Sequence, residues 1–191
     1  MDIWIGPIVA IGLAAACGFR VFLPLLGLSV AGMSGYLVLE PSLSWLATWP
    51  ALSVLVIATV LEVAAYYVPW VDNLLDTVAT PMAIAAGTLA SATQLGDLSP
   101  LLQWSLAAIT GGGVSGVVQT GTVAMRSLSS GLTGGIGNVV VSTAELLGAV
   151  MATLLAIFLP VVAFILVLVL LFWVIRILAR RRTTVVGAEA G

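Results

Sequence analysis

Charged side chains are so scarce in this chain that they cannot cover the surface of a soluble domain. Of 191 residues, eight are Asp or Glu and six are Arg, and neither Lys nor His occurs. A soluble protein carries about a quarter charged residues, whereas this chain carries 7%. Long apolar runs separate the charges, the clearest at 161–171. The sequence therefore predicts an all-α, polytopic membrane protein whose first partner is the lipid bilayer.

The same composition excludes several classes of function. A formal net charge of −2 leaves no basic face for phosphates, so we expect no nucleic-acid partner. A single cysteine, Cys17, excludes an internal disulfide and a multi-cysteine metal site. Without histidine, the usual zinc, haem and histidine-based catalytic centres cannot form. We expect a protein that is not an enzyme and holds no cofactor, and the sequence does not identify a metal.

The apolar runs predict about six transmembrane helices. The first, near 3–30, is interrupted by Gly18, Arg20 and Pro24, which predicts a broken helix. The segment 127–138 is rich in Gly, Ser and Thr and predicts a polar loop, either a set of turns or a re-entrant excursion. The other five spans lie near 51–68, 74–93, 101–125, 139–158 and 160–178.

Arginines predict the orientation. Arg176 and the run 180–182 close the last span, which places the C-terminus in the cytoplasm by the positive-inside rule. Six spans then place the N-terminus in the cytoplasm too. We expect the protein to reside in the cell inner (plasma) membrane. Arg126 falls in a predicted inner loop, and Glu40 falls in an outer loop, as does Asp97.

Weak internal similarity predicts two repeats. The run 54–62, ending in Glu62, resembles the run that leads to Glu145, and the flanking matches keep the same order. Those flanking matches pair 14–18 with 109–113 and 80–85 with 159–164. Three spans in each half would insert the second half upside down, as in many transporters; the alternative is chance similarity among apolar helices. The predicted units are 1–95, 96–182 and a disordered cytoplasmic tail at 183–191.

Three charges within apolar runs are candidates for ion or substrate binding. Glu62 and Glu145 must each be neutralised or paired, because a lone carboxylate in the bilayer is unfavourable. They could couple protons or bind cations at the repeat interface, or each could pair with an arginine or cap a broken helix. Arg20, beside the predicted break, could hold an anionic group or neutralise one of the two glutamates.

Further polar residues complete the candidate set. Asp72 or Asn73 would cap the helix that follows Pro69, and Asp76 lies one helical turn after Asp72. Their oxygens could instead ligate a hard cation. Gln119 is a polar group in an apolar span. The glycine-rich run 111–116 formally fits a nucleotide-binding spacing but lacks the required strand, so we interpret it as a helix-packing face.

Three stretches together resemble a known family. They are ACGFRVFLP at 16–24, EVAAYYVPWVDNLLD at 62–76, and TGGIGN at 133–138 leading to Glu145. Across about residues 5–175 the chain resembles bacterial membrane proteins catalogued as domain of unknown function 4126. The resemblance implies an integral membrane protein and supplies no activity. Asn138, which ends the last stretch, joins the candidate binding residues.

Two functions from different classes fit these observations. The first is a small transporter or channel-like permease for a small ion or metabolite, with Glu62 and Glu145 as coupling groups. The second is a non-transporting scaffold or a lipid-binding accessory subunit whose polar residues are structural. Glycine-rich faces at 112–116 and 131–135 would also allow a homo-oligomer.

Overall fold

The computed structural model describes residues 5–134 and 137–188, and these residues form helices joined by short connections. Side chains at 69, 70, 72–74, 76, 174, 175 and 177–188 lie outside the description. A 3₁₀ segment spans Pro41–Ala47, and a π-helical segment spans Ala107–Gly112. The described α-helices are α1 (Ile5–Phe19), α2 (Phe22–Met33), α3 (Trp49–Tyr66), α4 (Pro69–Ala92), α5 (Pro100–Leu106), α6 (Gly113–Thr133), α7 (Asn138–Phe158) and α8 (Pro160–Ala188).

Proline and glycine set several helix boundaries. Helices α4, α5 and α8 each begin with a proline, whose missing amide hydrogen is not needed in the first turn. Gly35 follows α2 with φ +77°, and Gly134 follows α6 with φ +63°. These left-handed conformations favour glycine and end helices.

The first predicted span is broken, as expected. Helix α1 ends at Phe19 and α2 starts at Phe22, with Arg20 between them. Pro24 lies in the first turn of α2, where it interrupts no helical hydrogen bond. The break therefore places the backbone of Arg20 between two helix ends inside the protein.

Helix α1 forms the centre of the fold and contacts α4, α6, α7 and α8. Small residues make this possible, because glycine and alanine let helix backbones approach closely. A Cβ at Gly12 would meet Ala156 and Ala163, and one at Gly18 would meet Val118 and the Ser115 carbonyl. Most of α1 is buried as a result.

The surrounding helices direct polar side chains inwards and apolar ones outwards. The buried face of α3 carries Thr59, Glu62 and Tyr66, whereas Val56, Ile57 and Val60 are exposed. This pattern, opposite to that of a soluble bundle, is typical of a helix that faces lipid.

Helix length and composition also indicate a membrane protein. Among the described residues, Trp49–Tyr66, Pro100–Thr133 and Asn138–Phe158 are long and apolar enough to cross a membrane. Shorter apolar helices cover Ile5–Phe19, Phe22–Met33, Thr77–Ala92 and Pro160–Trp173. The all-α prediction is confirmed, whereas the arrangement of six spans in two inverted repeats is not established by these lengths.

The polar loop expected from Ser127 is wrong as far as Thr133, because α6 continues to that residue. Hydroxyl groups in this segment donate to carbonyls of their own helix, Ser127 to Val123 at 2.9 Å and Thr133 to Ser129 at 2.7 Å. Such bonds accommodate Ser and Thr within a helix. Gly134 and Gly137 flank residues 135 and 136, which lie outside the described residues, so the connection between α6 and α7 is confined to 134–137.

Two further expectations change. Arg126 does not lie in an inner loop: it is buried in α6, with 1% of its surface exposed. It therefore no longer supports the predicted orientation. Helix α8 continues to Ala188, into the segment 183–191 that we expected to be disordered, and residues 189–191 lie outside the described residues.

The glycine-rich run packs against α4, as we interpreted it. A Cβ at Gly116 would lie 3.1 Å from Ile84, and one at Gly112 would also meet Ile84. A Cβ at Gly111 would meet the Gly87 carbonyl and Ser91. These glycines let α4 and the π-helical segment approach closely next to α1.

Candidate functional site

The helix break between α1 and α2 is closed by a glutamate from α3. Glu62 Oε1 accepts a hydrogen bond from the amide of Val21 at 2.7 Å, and Oε2 accepts one from Phe22 at 3.1 Å. These amides have no partner inside α2 because they belong to its first turn. A carboxylate at this position also interacts favourably with the positive end of the helix dipole. Glu62 is therefore a cap that α3 supplies to α2.

The second glutamate forms an ion pair with Arg126. Arg126 Nε donates to Glu145 Oε1 at 3.0 Å, and Arg126 Nη2 lies 2.9 Å from Oε2. Two parallel contacts of this kind are the strong geometry for an arginine and a carboxylate. The pair joins α6 to α7, and both side chains are nearly inaccessible to solvent.

Arg20 lies beside this pair. Its Nη2 donates to the carbonyl of Ser142 at 2.9 Å and lies 3.8 Å from Glu145 Oε2. The Arg20 side chain is completely buried. A distance of 3.8 Å permits an ion pair but exceeds that of an ordinary hydrogen bond. Arg20 is thus held by one carbonyl and a longer contact to the carboxylate.

Tyr66 lies between the two arginines in the contact network. The Cζ atom of Arg20 lies 4.0 Å from the Tyr66 ring centroid, and that of Arg126 lies 4.2 Å from it. Guanidinium groups stack favourably on aromatic faces, the more so when water is excluded. Tyr66 is 5% exposed, so its ring replaces solvent next to both positive charges.

We name these residues the charge cluster: Arg20, Glu62, Tyr66, Arg126 and Glu145. Two arginines and two glutamates give it a formal charge of zero. The first predicted repeat contributes three of its members and the second contributes Arg126 and Glu145. Buried ion pairs of this kind contribute little net stability, because desolvation opposes the attraction. The cluster is therefore a candidate for a functional role.

Several buried polar atoms near the cluster lack a hydrogen-bond partner among the described residues. Arg20 has two such atoms, Nε and Nη1, and the hydroxyl groups of Thr59 and Ser142 are others. The side-chain amide nitrogen of Gln119 is a further one. Buried donors normally find a partner in protein or in water. The region around Arg20 therefore has hydrogen-bonding capacity that its described side chains leave unused.

Two apolar grooves reach the cluster from different sides. The Glu145 groove, of about 530 Å³, lies between α6, α7 and α8 and has Glu145 and Thr122 among its lining residues. The Glu62 groove, of about 350 Å³, lies between α2, α3 and α4 and is lined in part by Glu62 and Tyr66. Each groove thus reaches one buried carboxylate.

The structure brings together three of the predicted residues, Arg20, Glu62 and Glu145. Gln119 and Asn138 are buried on α6 and α7, and Asn138 Nδ2 donates to Ser130 at 2.9 Å. Helix α4 begins at Pro69 with Val68 at its N-cap, so positions 72 and 73 lie inside the helix and the expected cap by Asp72 or Asn73 is wrong. The side chains of Asp72, Asn73 and Asp76 lie outside the described residues, so the cation site expected there is untested. Within the part that the structure describes, no group of three or more acidic or cysteine side chains could hold a metal ion.

Sequence reasoning missed Arg126, Tyr66 and Ser142. Helical spacing carried the signal: Arg126 follows Gln119 by seven residues, and Tyr66 follows Glu62 by four. Residues with these separations lie on one helix face. Arg126 and Tyr66 therefore each share a face with a polar residue that the sequence had already identified, whereas Ser142 takes part through its backbone carbonyl and left no such signal.

Comparison with known proteins gives one family. The family model described as domain of unknown function 4126 matches residues 8–180. No curated protein and no solved structure shows significant similarity to the chain.

Proposed function

We propose that this chain, which belongs to the family described as domain of unknown function 4126, is a small permease for an ion or small metabolite. The observation that carries this proposal is the charge cluster. Four ionisable groups from distant parts of the chain meet at a helix break and are almost completely buried. Ionisable residues inside a membrane, next to broken helices, are features of transport pathways.

The proposed architecture has six spans in two inverted repeats. Helices α1 and α2 together would form the first span, and α5, the π-helical segment and α6 would form the fourth. Irregular backbone occurs in both spans, at 20–21 in the first and at Ala107–Gly112 in the fourth. These two positions lie close to the ranges 14–18 and 109–113 that the repeat alignment pairs. Helices α4 and α8, of 24 and 29 residues, are longer than the roughly 20 residues that one crossing requires.

The proposed orientation places both termini in the cytoplasm and the protein in the inner (plasma) membrane. Its support is the arginine group at 176 and 180–182, at the end of α8.

The glycine faces at 112–116 and 131–135 differ in their packing. Gly116 is used within the chain, whereas a Cβ at Gly131 would meet nothing within 4 Å. Gly131 therefore remains available for the homo-oligomer that we also propose.

In the proposed cycle, Glu62 and Glu145 exchange their present partners for a proton or a cation. Glu62 would release the α2 amides, and Glu145 would release Arg126, so that either event would change the packing at the helix break. We place Asp72 and Asp76 at one entrance. We propose transport and not catalysis as the role of these exchanges.

A second candidate is a non-transporting scaffold or lipid-binding accessory subunit. Two observations favour it. Glu62 accepts hydrogen bonds from helix-terminal amides, as a structural cap would. The two grooves are lined mainly by apolar side chains, and their volumes fit acyl chains. Under this reading the charge cluster would fix the positions of α2, α6 and α7 and take no part in a cycle.

Solute flux across the membrane of reconstituted liposomes distinguishes the permease from the non-transporting scaffold or accessory subunit. Purified protein would be tested with sodium, potassium, chloride, nitrate, formate and small zwitterionic metabolites, against protein-free liposomes and liposomes holding an unrelated membrane protein. We expect uptake of at least one solute that saturates with concentration. Uptake equal to both controls for every solute, from protein shown to be folded and inserted, would refute the permease.

A further inference from the structure

Within the charge cluster, the carboxylate oxygens already contact donors, whereas some arginine N–H groups have no hydrogen-bond partner among the described residues. Both oxygens of Glu62 accept backbone amides, and both oxygens of Glu145 face Arg126. Arg20 uses Nη2 for the Ser142 carbonyl, whereas its Nε and Nη1 have no partner among the described residues. The unused capacity on this arginine is therefore that of a hydrogen-bond donor with a positive charge.

We propose that Arg20 is the binding site of a small anion, which identifies the substrate class of the proposed permease and so rests on that function. A guanidinium group with free N–H donors, held away from water, binds a halide, nitrate or carboxylate group through charge-assisted hydrogen bonds. The first turn of α2 cannot take this role as it stands, because Glu62 already occupies the Val21 and Phe22 amides.

The surroundings of Arg20 limit the size of the anion. Tyr66 lies 4.0 Å from the guanidinium carbon and covers one face of the group. The Arg20 side chain is completely buried, and α1 packs closely against α6 through Gly18. Because Tyr66 covers one face, an anion would bind in the plane of the guanidinium group, next to Nε and Nη1. The close packing favours a monovalent ion of a few atoms over sugars, nucleotides and phospholipid headgroups.

Gln119 strengthens the assignment. It follows Val118, whose side chain lies against Gly18 at the end of α1, and it is 1% exposed. Its side-chain nitrogen also has no partner among the described residues. Helix α6 thus carries a further unused donor, which is neutral, in the turn that also carries Val118.

Charge balance explains why such a site could release its ion. The two arginines and two glutamates already sum to zero, so a bound anion gives the cluster one excess negative charge. Arg20 is compensated by Glu145 across 3.8 Å, a longer separation than the 2.9 Å of the Arg126 pair. The anion would compete with Glu145 for Arg20, which favours reversible and not permanent occupancy.

The first experiment measures anion binding to full-length protein in detergent, with gluconate salts keeping ionic strength constant. Chloride, bromide, nitrate and formate should raise the unfolding temperature with saturation. Arg20→Lys keeps the charge but loses the guanidinium donors, and it should weaken binding about tenfold or more, as expected when charge-assisted hydrogen bonds are lost. Arg176→Gln, at an exposed position of α8, is the matched control and should bind as the wild type does.

Crystals of the wild type soaked in bromide give a readout that needs no variant. Anomalous scattering should place bromide beside the Arg20 guanidinium. Absence of bromide there, or equal anion binding by Arg20→Lys and the wild type, would overturn the site. Anion binding without anion flux would support the site and refute the permease. Cation flux without anion binding would support the permease and refute the site.

Discussion

Replacing Glu145 by glutamine tests the electrostatic balance of the charge cluster. The substitution keeps the shape of the side chain and removes one of two negative charges, so one buried positive charge is in excess within the cluster. It also weakens the contacts to Arg126 at 3.0 and 2.9 Å and to Arg20 at 3.8 Å. Breaking a buried pair in this way typically costs about 3–5 kcal/mol, and we expect Glu145→Gln to lose that much stability.

A double-mutant cycle with Arg126→Gln isolates the pair. Two glutamines at these positions can hydrogen-bond to each other, and the remaining Arg20 and Glu62 keep the cluster neutral. We therefore expect the double variant to recover most of the loss, which corresponds to a coupling energy of about 3 kcal/mol or more. Reversible unfolding in mixed micelles, followed by far-UV circular dichroism, measures all four proteins.

The cycle has a clear contrary outcome. If Glu145→Gln unfolds within about 0.5 kcal/mol of the wild type, the size of a typical surface substitution, the carboxylate is not part of a tight buried pair. Additive single effects would lead to the same conclusion, because contacting residues should couple. Either result would refute the geometry on which the charge cluster depends.

Three further predictions follow from particular contacts. Glu62→Gln offers one acceptor to two backbone amides, so one amide loses its partner and unfolding measurements should show a loss of about 1–3 kcal/mol; an unchanged stability would contradict the cap. Gly18→Ala places a methyl group against α6 and should destabilise by about 1–3 kcal/mol, whereas Gly121→Ala, with open space around it, should have little effect. Cysteines introduced at Ser42 and Thr184 should react with an impermeant reagent in intact cells only at Ser42, and labelling of Thr184 would overturn the proposed orientation; the buried native cysteine gives a low background.

The sequence was informative where a single residue conflicts with its surroundings. Arg20, Glu62 and Glu145 stand in apolar runs, and that conflict alone identified them as residues that must meet a partner. The break near Arg20 was also predictable, because glycine and proline flank it within a few positions. These inferences need only local composition.

The partners themselves were not predictable from local composition. Glu62 caps amides 40 and 41 residues away, and Arg20 reaches the Ser142 carbonyl across 122 residues. Arg126 was assigned to a loop because Ser, Thr and Gly surround it, and these residues are typical of turns in soluble proteins. In α6 their hydroxyl groups bond to the helix backbone instead, so helical phase, and not polarity, determined the position of Arg126.

Uptake by the Arg126→Gln/Glu145→Gln variant most directly tests whether the charge cluster takes part in transport. The variant is expected to remain folded, so a loss of function would not reflect a loss of structure. Liposomes holding equal amounts of wild type, this variant or Arg176→Gln would be compared for the solute that the wild type transports fastest. We predict that uptake falls by about tenfold or more in the double variant, the effect of roughly 1.4 kcal/mol on a rate, and is unchanged in Arg176→Gln. Uptake at the wild-type rate by a folded double variant would show that the Arg126–Glu145 pair is structural and would favour the scaffold.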